Sequence, residues 1–340
     1  MSIRFDADDP AAAPGARWGI LGPGWVAGRF AAGLKTHTRS TITALASRDP
    51  RRGDVFADRW AVPRVHRDYA ALLDDDSVDV VYVATPNTLH VEHALAAIAA
   101  GKHVVVEKPL AMSESDGRRI FDAAGARGVF AMEGMWTRFL PHSIALHDAV
   151  ERGLLGEVEE VWAESGKAQF GETLIPRLLD PALGGGALAD LGVYTLSLAV
   201  HLLGAVTAAT EVGSHRRSRG GVDTRVDASL VHERGCSSHS VSLDEDLPGD
   251  ARITGTDGII VIDGPFHRPS AWRLTRRDGV GESFDGRLPN GFECEVAAVG
   301  TALADGRLEH PLLPHRATLD VLAAADRIRA KATCGEVVGV

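Results

Sequence analysis

The sequence predicts two units in series: an α/β domain on a doubly wound parallel sheet, then an α+β domain with a large, mostly antiparallel, open-faced sheet. Short apolar runs alternate with helical patterns from residue 17 to about 138, the sequence form of a parallel sheet covered on both faces. After Pro141 the pattern changes to period-two segments separated by Gly, Asp and Pro, which reads as hairpins with helices gathered on one side. A length of 340 residues with 45% hydrophobic content exceeds the usual single domain and supplies at least one large core.

The first unit, 16–138, is expected to hold strands at 17–21, 42–47, 78–84, 103–106 and 129–132, with helices at 25–34, 51–60, 88–100 and 113–127 between them. In the second unit, 139–315, a helix to about residue 152 precedes strands at 158–165, 208–215, 227–232, 237–243, 251–254, 259–263 and 271–275. A long helix, 186–203, interrupts them, and a last helix, 316–330, returns toward the first unit within a closing segment 316–340. An open-faced sheet needs a cover, which makes a homodimer through this sheet the expected assembly. No internal repeat is evident.

The formal charge of −10 is spread over interspersed acids and bases, which argues against a nucleic-acid or anionic-membrane partner and for a small-molecule one. Residues 1–15 lack a basic stretch followed by an apolar one, so they read as a flexible tail rather than a secretory signal. The apolar run at 191–206 is short and broken by Tyr194, His201 and Gly204. Three cysteines without CxxC spacing suggest neither a disulfide framework nor a zinc site, so the reducing cytoplasm is the expected compartment.

Between the first strand and first helix, Gly22-Pro23-Gly24-Trp25-Val26-Ala27 forms a GxGxxA turn. Gly22 permits the tight bend, Gly24 lets backbone approach a pyrophosphate, and Ala27 is small enough for close helix–sheet packing. Free N–H groups at Trp25, Val26 and Ala27 then face the phosphates, as in a Rossmann dinucleotide site. The second strand ends at Ser47-Arg48 without the carboxylate that NAD proteins place on the ribose. Ser47 can donate to a 2′-phosphate and Arg48 can pair with it, so NADP is expected ahead of NAD. Asp49, which could reach a ribose, and a solvated role for Arg48, Arg51 and Arg52 are the alternatives.

Two further strand ends, Ala84-Thr85-Pro86-Asn87 and Glu107-Lys108-Pro109, fall where doubly wound sheets bind ligands. Lys108 follows an apolar run, where partial desolvation suits a proton donor or electrostatic partner, although lone strand-end lysines are mostly solvated. His90, Glu92 and His93 read as solvated or capping groups rather than metal ligands, with His90 near the cofactor edge. No metal is expected.

These motifs, with Gly101-Lys102-His103-Val104 and the later Gly184-Gly185-Gly186-Ala187-Leu188-Ala189-Asp190-Leu191-Gly192-Val193-Tyr194, resemble the Gfo/Idh/MocA oxidoreductases over nearly the whole chain. The stretch Met132-Glu133-Gly134-Met135-Trp136-Thr137-Arg138 resembles the branch containing dimeric dihydrodiol dehydrogenase and NADP-dependent D-xylose dehydrogenase, with Gly134 where alanine is common. The resemblance implies that Lys108 is catalytic with Asp190 and Tyr194 as partners, while strand-end position places Thr85, Pro86, Asn87, Glu107 and Lys108, with His90 nearby, along the cofactor. An i, i+4 spacing independently places Asp190 and Tyr194 on one helix face, though a cap and a core tyrosine would look alike.

The expected chemistry is hydride exchange between nicotinamide and a sugar, polyol or trans-dihydrodiol carbon. Tyr194 or Lys108 would move the hydroxyl proton. Trp136, Arg138 and Phe170 are candidate substrate contacts, or ordinary interface packing. Carbonyl or ketosugar reduction by the same residues, and a non-catalytic NADP-binding sensor, are the alternatives.

Overall fold

The computed structural model describes residues 9–218 and 220–334, apart from the side chains of Thr173, Thr333 and Cys334. Met1–Asp8 of the expected tail lie outside the described residues, whereas Ala13 is buried and the Pro14 carbonyl lies against Gly300.

Six parallel strands form the first sheet: β1 (Arg17–Leu21), β2 (Thr41–Ala46), β3 (Val65–His66), β4 (Val80–Val83), β5 (His103–Glu107) and β6 (Ala131–Gly134). Their spatial order is β3-β2-β1-β4-β5-β6, so the chain reverses direction between β1 and β4 and opens a crevice at their carboxyl ends. The connecting helices are α1 (Trp25–His37), α2 (Pro50–Trp60), α3 (Tyr69–Leu73), α4 (His90–Ala99) and α5 (Glu114–Arg127). β3 and α3 were not expected; each is too short to carry a periodic signal. Side-chain caps start α2, α3 and α5 at Asp49, Asp68 and Ser113, whereas α1 has no side-chain cap and no acid in its first turn.

After α6 (Pro141–Glu151) come β7 (Val158–Gly166), α7 (Val193–Leu203), β8 (Val206–His215), β9 (Arg225–His232) and β10 (Gly235–Ser242). The chain continues through β11 (Ala251–Gly255), β12 (Gly258–Ile262), β13 (Ala271–Arg276), β14 (Gly281–Asp285), α8 (Phe292–Ala304), α9 (His315–Lys331) and β15 (Thr333–Cys334). The second sheet has the order β14-β13-β12-β11-β7-β10-β9-β8-β15 and is antiparallel except at β7–β10 and β8–β15.

α7 packs on β7 and β10, and α9 lies against α5, α7 and β8. Val231 and Ile259 remain exposed on this sheet. The helical stretch Pro181–Leu203 has the length and mean hydropathy of a membrane span, yet 83% of its most apolar window is buried inside the fold. It is a core element.

Candidate active site

At the first crevice Gly22 adopts φ +95°, and a Cβ there would sit 3.0 Å from the Ala84 carbonyl, so only glycine makes this turn. A Cβ on Gly24 would meet nothing closer than 3.9 Å, which leaves its outer side open to a ligand. With the uncapped first turn of α1, this cradle fits a dinucleotide pyrophosphate. Trp25 stands beside it, 78% exposed.

At the end of β2, Asp49 is committed to capping α2 through the Arg52 N–H. No carboxylate is thereby offered to a ribose from that position. Ser47 is buried and its hydroxyl donates to the Asp49 carbonyl, so it shapes the loop rather than presenting a donor outward. Arg48 is the exposed side chain here, its guanidinium 5.7 Å from the centre of the Tyr69 ring.

Several residues expected at the cofactor prove to be braces. His90 is fully buried, with its ring nitrogens each 2.9 Å from the carbonyls of Thr85 and Pro109, so it ties two strand-end turns together instead of reaching a ligand. Burial pushes its pKa down to about 4. His93 is likewise buried, against the Thr85 hydroxyl, so neither histidine is the solvated group expected. Asn87 donates to the Gly184 carbonyl, and Pro86 immediately precedes this residue. Glu107 is buried, accepting from the Tyr82 hydroxyl and the Lys108 N–H.

Lys108 projects from the end of β5 toward the segment before α7. Its ammonium donates to the Asp190 carbonyl at 2.8 Å and to the Asp190 carboxylate at 3.2 Å, and lies 4.7 Å from the centre of the Tyr194 ring. Burial disfavours this ammonium, but Asp190, with Tyr194 and Glu107, more than offsets that and holds its pKa above the ordinary value. Burial would likewise neutralise Asp190; Lys108 and Arg177, 3.6 Å away, keep it ionised. These surroundings favour the charged form of the lysine over the free amine that a base would need. Burial also raises the Tyr194 phenol above its usual range, with Lys108 acting in the opposite direction.

Asp190 lies in a π-helical turn, Leu188–Gly192, a wide turn that recurs at functional sites. The three preceding glycines each have a steric reason. A Cβ on Gly184 would strike Asn87 (2.8 Å), one on Gly185 the Leu178 carbonyl, and one on Gly186 the Asp223 carboxylate (2.6 Å). Asp223 holds this turn from the far side of the chain, accepting from the Leu188 N–H through its carboxylate and from the Ala187 N–H through its carbonyl.

The expected substrate contacts do not converge. Trp136 is buried, stacked on Phe292 at 4.6 Å, and its indole N–H points to the Tyr194 hydroxyl. Arg138 is committed to the Leu312 carbonyl and His201, and burial lowers its pKa to about 9. Phe170 is exposed, with the Arg217 guanidinium 4.0 Å from its ring centre. Residues unforeseen from sequence take their place around Tyr194 and Asp190: Arg177, and His267, whose ring stacks on Tyr194 at 4.5 Å. Burial holds His267 neutral, with a pKa of about 3. Their loops carry no residue pattern that would have marked them. A cavity of about 480 Å³ opens at the other end of the first sheet beside Arg17 and His103, away from this chemistry.

The Gfo/Idh/MocA model of an oxidoreductase family with an NAD-binding Rossmann fold matches residues 16–135, and the family's C-terminal domain model matches 144–261. Trans-1,2-dihydrobenzene-1,2-diol dehydrogenase of Macaca fuscata fuscata is 33% identical over 316 residues, covering 88% of this chain and 91% of that protein. The chain belongs to the Gfo/Idh/MocA oxidoreductase family. The human dehydrogenase of the same name is 32% identical over 318 residues, with the same coverage of both chains. A 3-ketoreductase from Actinomadura kijaniata, solved with NADP and TDP-benzene, superposes with a TM-score of 0.83 at 27% identity, covering 94% of this chain and 98% of that one. An aldose-aldose oxidoreductase from Caulobacter crescentus gives the same score and identity over 93% and 97%. Membership makes this chain an oxidoreductase with a nicotinamide-dinucleotide fold, and the alternation of short runs that predicted a parallel sheet followed by an open antiparallel one is the family's two-domain architecture.

Proposed function

We propose that this chain is an NADP-dependent dehydrogenase that interconverts a hydroxyl-bearing carbon of a sugar, polyol or trans-dihydrodiol with its carbonyl, using Lys108, Asp190 and Tyr194. The observation that carries the reading is the Lys108 ammonium, clasped by Asp190 and set against the face of Tyr194 at the carboxyl end of β5. NADP would rest on the Gly22–Ala27 turn with Arg48 toward its 2′-phosphate. When bound it supplies the hydride acceptor or donor. Tyr194 exchanges the hydroxyl proton, Lys108 stabilises the negative oxygen without surrendering its own proton, and Asp190 fixes the lysine.

The phenol's raised pKa keeps Tyr194 protonated at rest, which favours it as a donor to a carbonyl and gives ketosugar or carbonyl reduction weight as the second direction. A cofactor-binding part at 16–138 and a substrate-binding and dimerising part at 139–315 fit this division of labour, and within the closing segment 316–340, of which 335–340 lie outside the described residues, α9 packs back on α5. Half-buried Trp162 and exposed Val231 and Ile259 support a homodimer through the second sheet. Free Cys236 and Cys294 support a reducing, cytoplasmic setting.

The test is a screen of NADP reduction over pentoses, hexoses, polyols, inositols and trans-dihydrodiols, with the matching carbonyls run against NADPH. One substrate class turned over by the wild type and lost in Lys108→Met supports the reading. NADP binding without turnover of any substrate refutes it in favour of a sensor.

A further inference from the structure

We infer that Trp136 is a further catalytic residue, its indole N–H being the hydrogen-bond donor that stabilises the Tyr194 oxygen when that oxygen is deprotonated. The inference rests on the reading of Tyr194 as the proton-exchanging group. It separates two jobs that the lysine alone does not cover.

Lys108 directs two of its three N–H donors at the Asp190 carbonyl and carboxylate, and meets Tyr194 across the ring. It supplies charge to the phenol but no directed bond to its oxygen. Among the described residues, the donor on that oxygen is Trp136 Nε1, at 3.4 Å. The distance is long for a neutral acceptor. Catalytic hydrogen bonds tighten when the acceptor gains charge, and an N–H on a phenolate is shorter and stronger than one on a phenol.

Both partners are fixed before that moment. Trp136 lies nearly flat on Phe292, with ring centres 4.6 Å apart and planes 10° from parallel, and Tyr194 lies on His267 at 4.5 Å and 16°. Gly291, at φ +101°, leaves the room: a Cβ there would stand 3.0 Å from the Trp136 ring. Each of the two side chains is only 8% exposed, so water competes poorly for the bond. An indole is a donor only and does not ionise in this range, so it stabilises the oxygen without becoming a rival acid. Burial pushes the Tyr194 phenol up; Lys108 and then this N–H pull it back.

In alcohol oxidation the Tyr194 phenolate, formed by prior loss of the phenol proton to solvent, takes the hydroxyl proton; NADP held on the Gly22–Ala27 turn would accept the carbon-bound hydrogen with its electron pair. Trp136 keeps its proton throughout. In the reverse direction Tyr194 gives its proton to the carbonyl oxygen, and the N–H stabilises the phenolate left behind.

The test reads the ionisation of Tyr194 directly. The chain has three tyrosines, so isotope-labelled tyrosine Cζ gives three NMR signals, and Tyr194→Phe identifies the one required. Two variants remove the N–H and keep an aromatic ring on Phe292: Trp136→Phe, and benzothienylalanine at 136, which replaces N–H by sulfur. Both are titrated as full-length protein with and without NADP. The expected result is a Tyr194 midpoint higher by about one pH unit, tenfold less phenolate at neutral pH. Alcohol oxidation should then be slowed about tenfold at neutral pH and recover at higher pH, with NADP affinity unchanged. A Tyr194 midpoint that does not move in either variant overturns the inference. Full turnover by Tyr194→Phe instead overturns the assignment of Tyr194 as proton carrier, and the two failures are read from different samples.

Discussion

Replacing Lys108 by methionine keeps the length and apolar bulk of the side chain and removes its charge and its donors. In the wild type the ammonium sits 4.7 Å from the centre of the Tyr194 ring. At an effective dielectric of about 20, a full charge at that separation is worth ~3.5 kcal/mol to a phenolate, or roughly 10²- to 10³-fold in rate. The loss also strips Asp190 of its nearest cation, leaving Arg177 at 3.6 Å, half exposed and screened by water. The glycine turn and Arg48 are untouched, so NADP affinity, read by quenching of tryptophan fluorescence, should stay within about threefold, while kcat falls by the full factor. Restoring the charge with Lys108→Arg should recover only part of it, because the planar fork cannot reach both the Asp190 carbonyl and carboxylate as an ammonium does. Wild-type kcat in Lys108→Met would refute the electrostatic argument outright. A parallel collapse of NADP affinity would show instead that the lysine acts through the cofactor site.

Arg48→Ala should raise the Michaelis constant for NADP at least tenfold more than that for NAD, since a 2′-phosphate loses a charge-assisted partner of about 1.5–3 kcal/mol; equal effects on both would remove Arg48 from cofactor choice. Glu133 is fully buried under the Leu110 N–H and the Thr318 hydroxyl, and burial raises its pKa from 4.5 to about 7. A raised carboxyl favours folding while protonated, so its contribution is complete below pH 4.5 and is lost as pH rises through about 7. Over that window it amounts to ~3 kcal/mol as an upper figure, and Glu133→Gln should flatten the fall in thermal midpoint between those pH values; the same pH slope in both proteins would count against it. Gly186→Ala places a methyl group 2.6 Å from the Asp223 carboxylate at φ +125°. It should displace the turn that carries Asp190, lowering kcat far more than it changes NADP affinity, and an unaltered kcat would show that the turn tolerates the shift.

The first sheet was legible because buried parallel strands are continuous apolar runs, and β1, β5, α1, α2 and α4 fall where the pattern puts them. α8 was not: Phe292, Val296 and Val299 form its apolar stripe, but the buried acids Glu293 and Glu295 interrupt it in the first turn. β14, Gly-Glu-Ser-Phe-Asp at the sheet edge, offers a single apolar residue, Phe284, too little for a period-two signal. Within the site, Lys108, Asp190 and Tyr194 were readable as motif residues, and the structure brings them together. The supporting groups were not. Trp136 and Arg138 looked like substrate contacts because aromatic and basic residues near a strand end often are; here one is drawn inward by Phe292 and Tyr194, the other by a backbone carbonyl. His90 was unreadable for a similar reason, since a histidine wedged between two backbone carbonyls, donating its one N–H to either of them, cannot be told in sequence from one facing a ligand.

The dispersal of the site over the chain has a mechanical consequence. Lys108 directly follows β5 of the first sheet, Asp190 lies in the turn before α7 and Tyr194 in α7, and their spacing is set by bonds that cross between the two parts: Asn87 to the Gly184 carbonyl, Thr88 to the Ala182 carbonyl, and Lys108 itself to Asp190. Loosening either of the first two should therefore act like a partial loss of the lysine. Asn87→Ala removes the buried one, and its cost is the unpaired Gly184 carbonyl, about 1–3 kcal/mol. If the crossing bonds only hold the fold, that cost appears in the thermal midpoint and kcat stays level. If they set the distance from Lys108 to Tyr194, kcat falls and the Tyr194 titration moves toward that of Lys108→Met. The variant's two readouts thus separate a strut of the architecture from a setting of the chemistry.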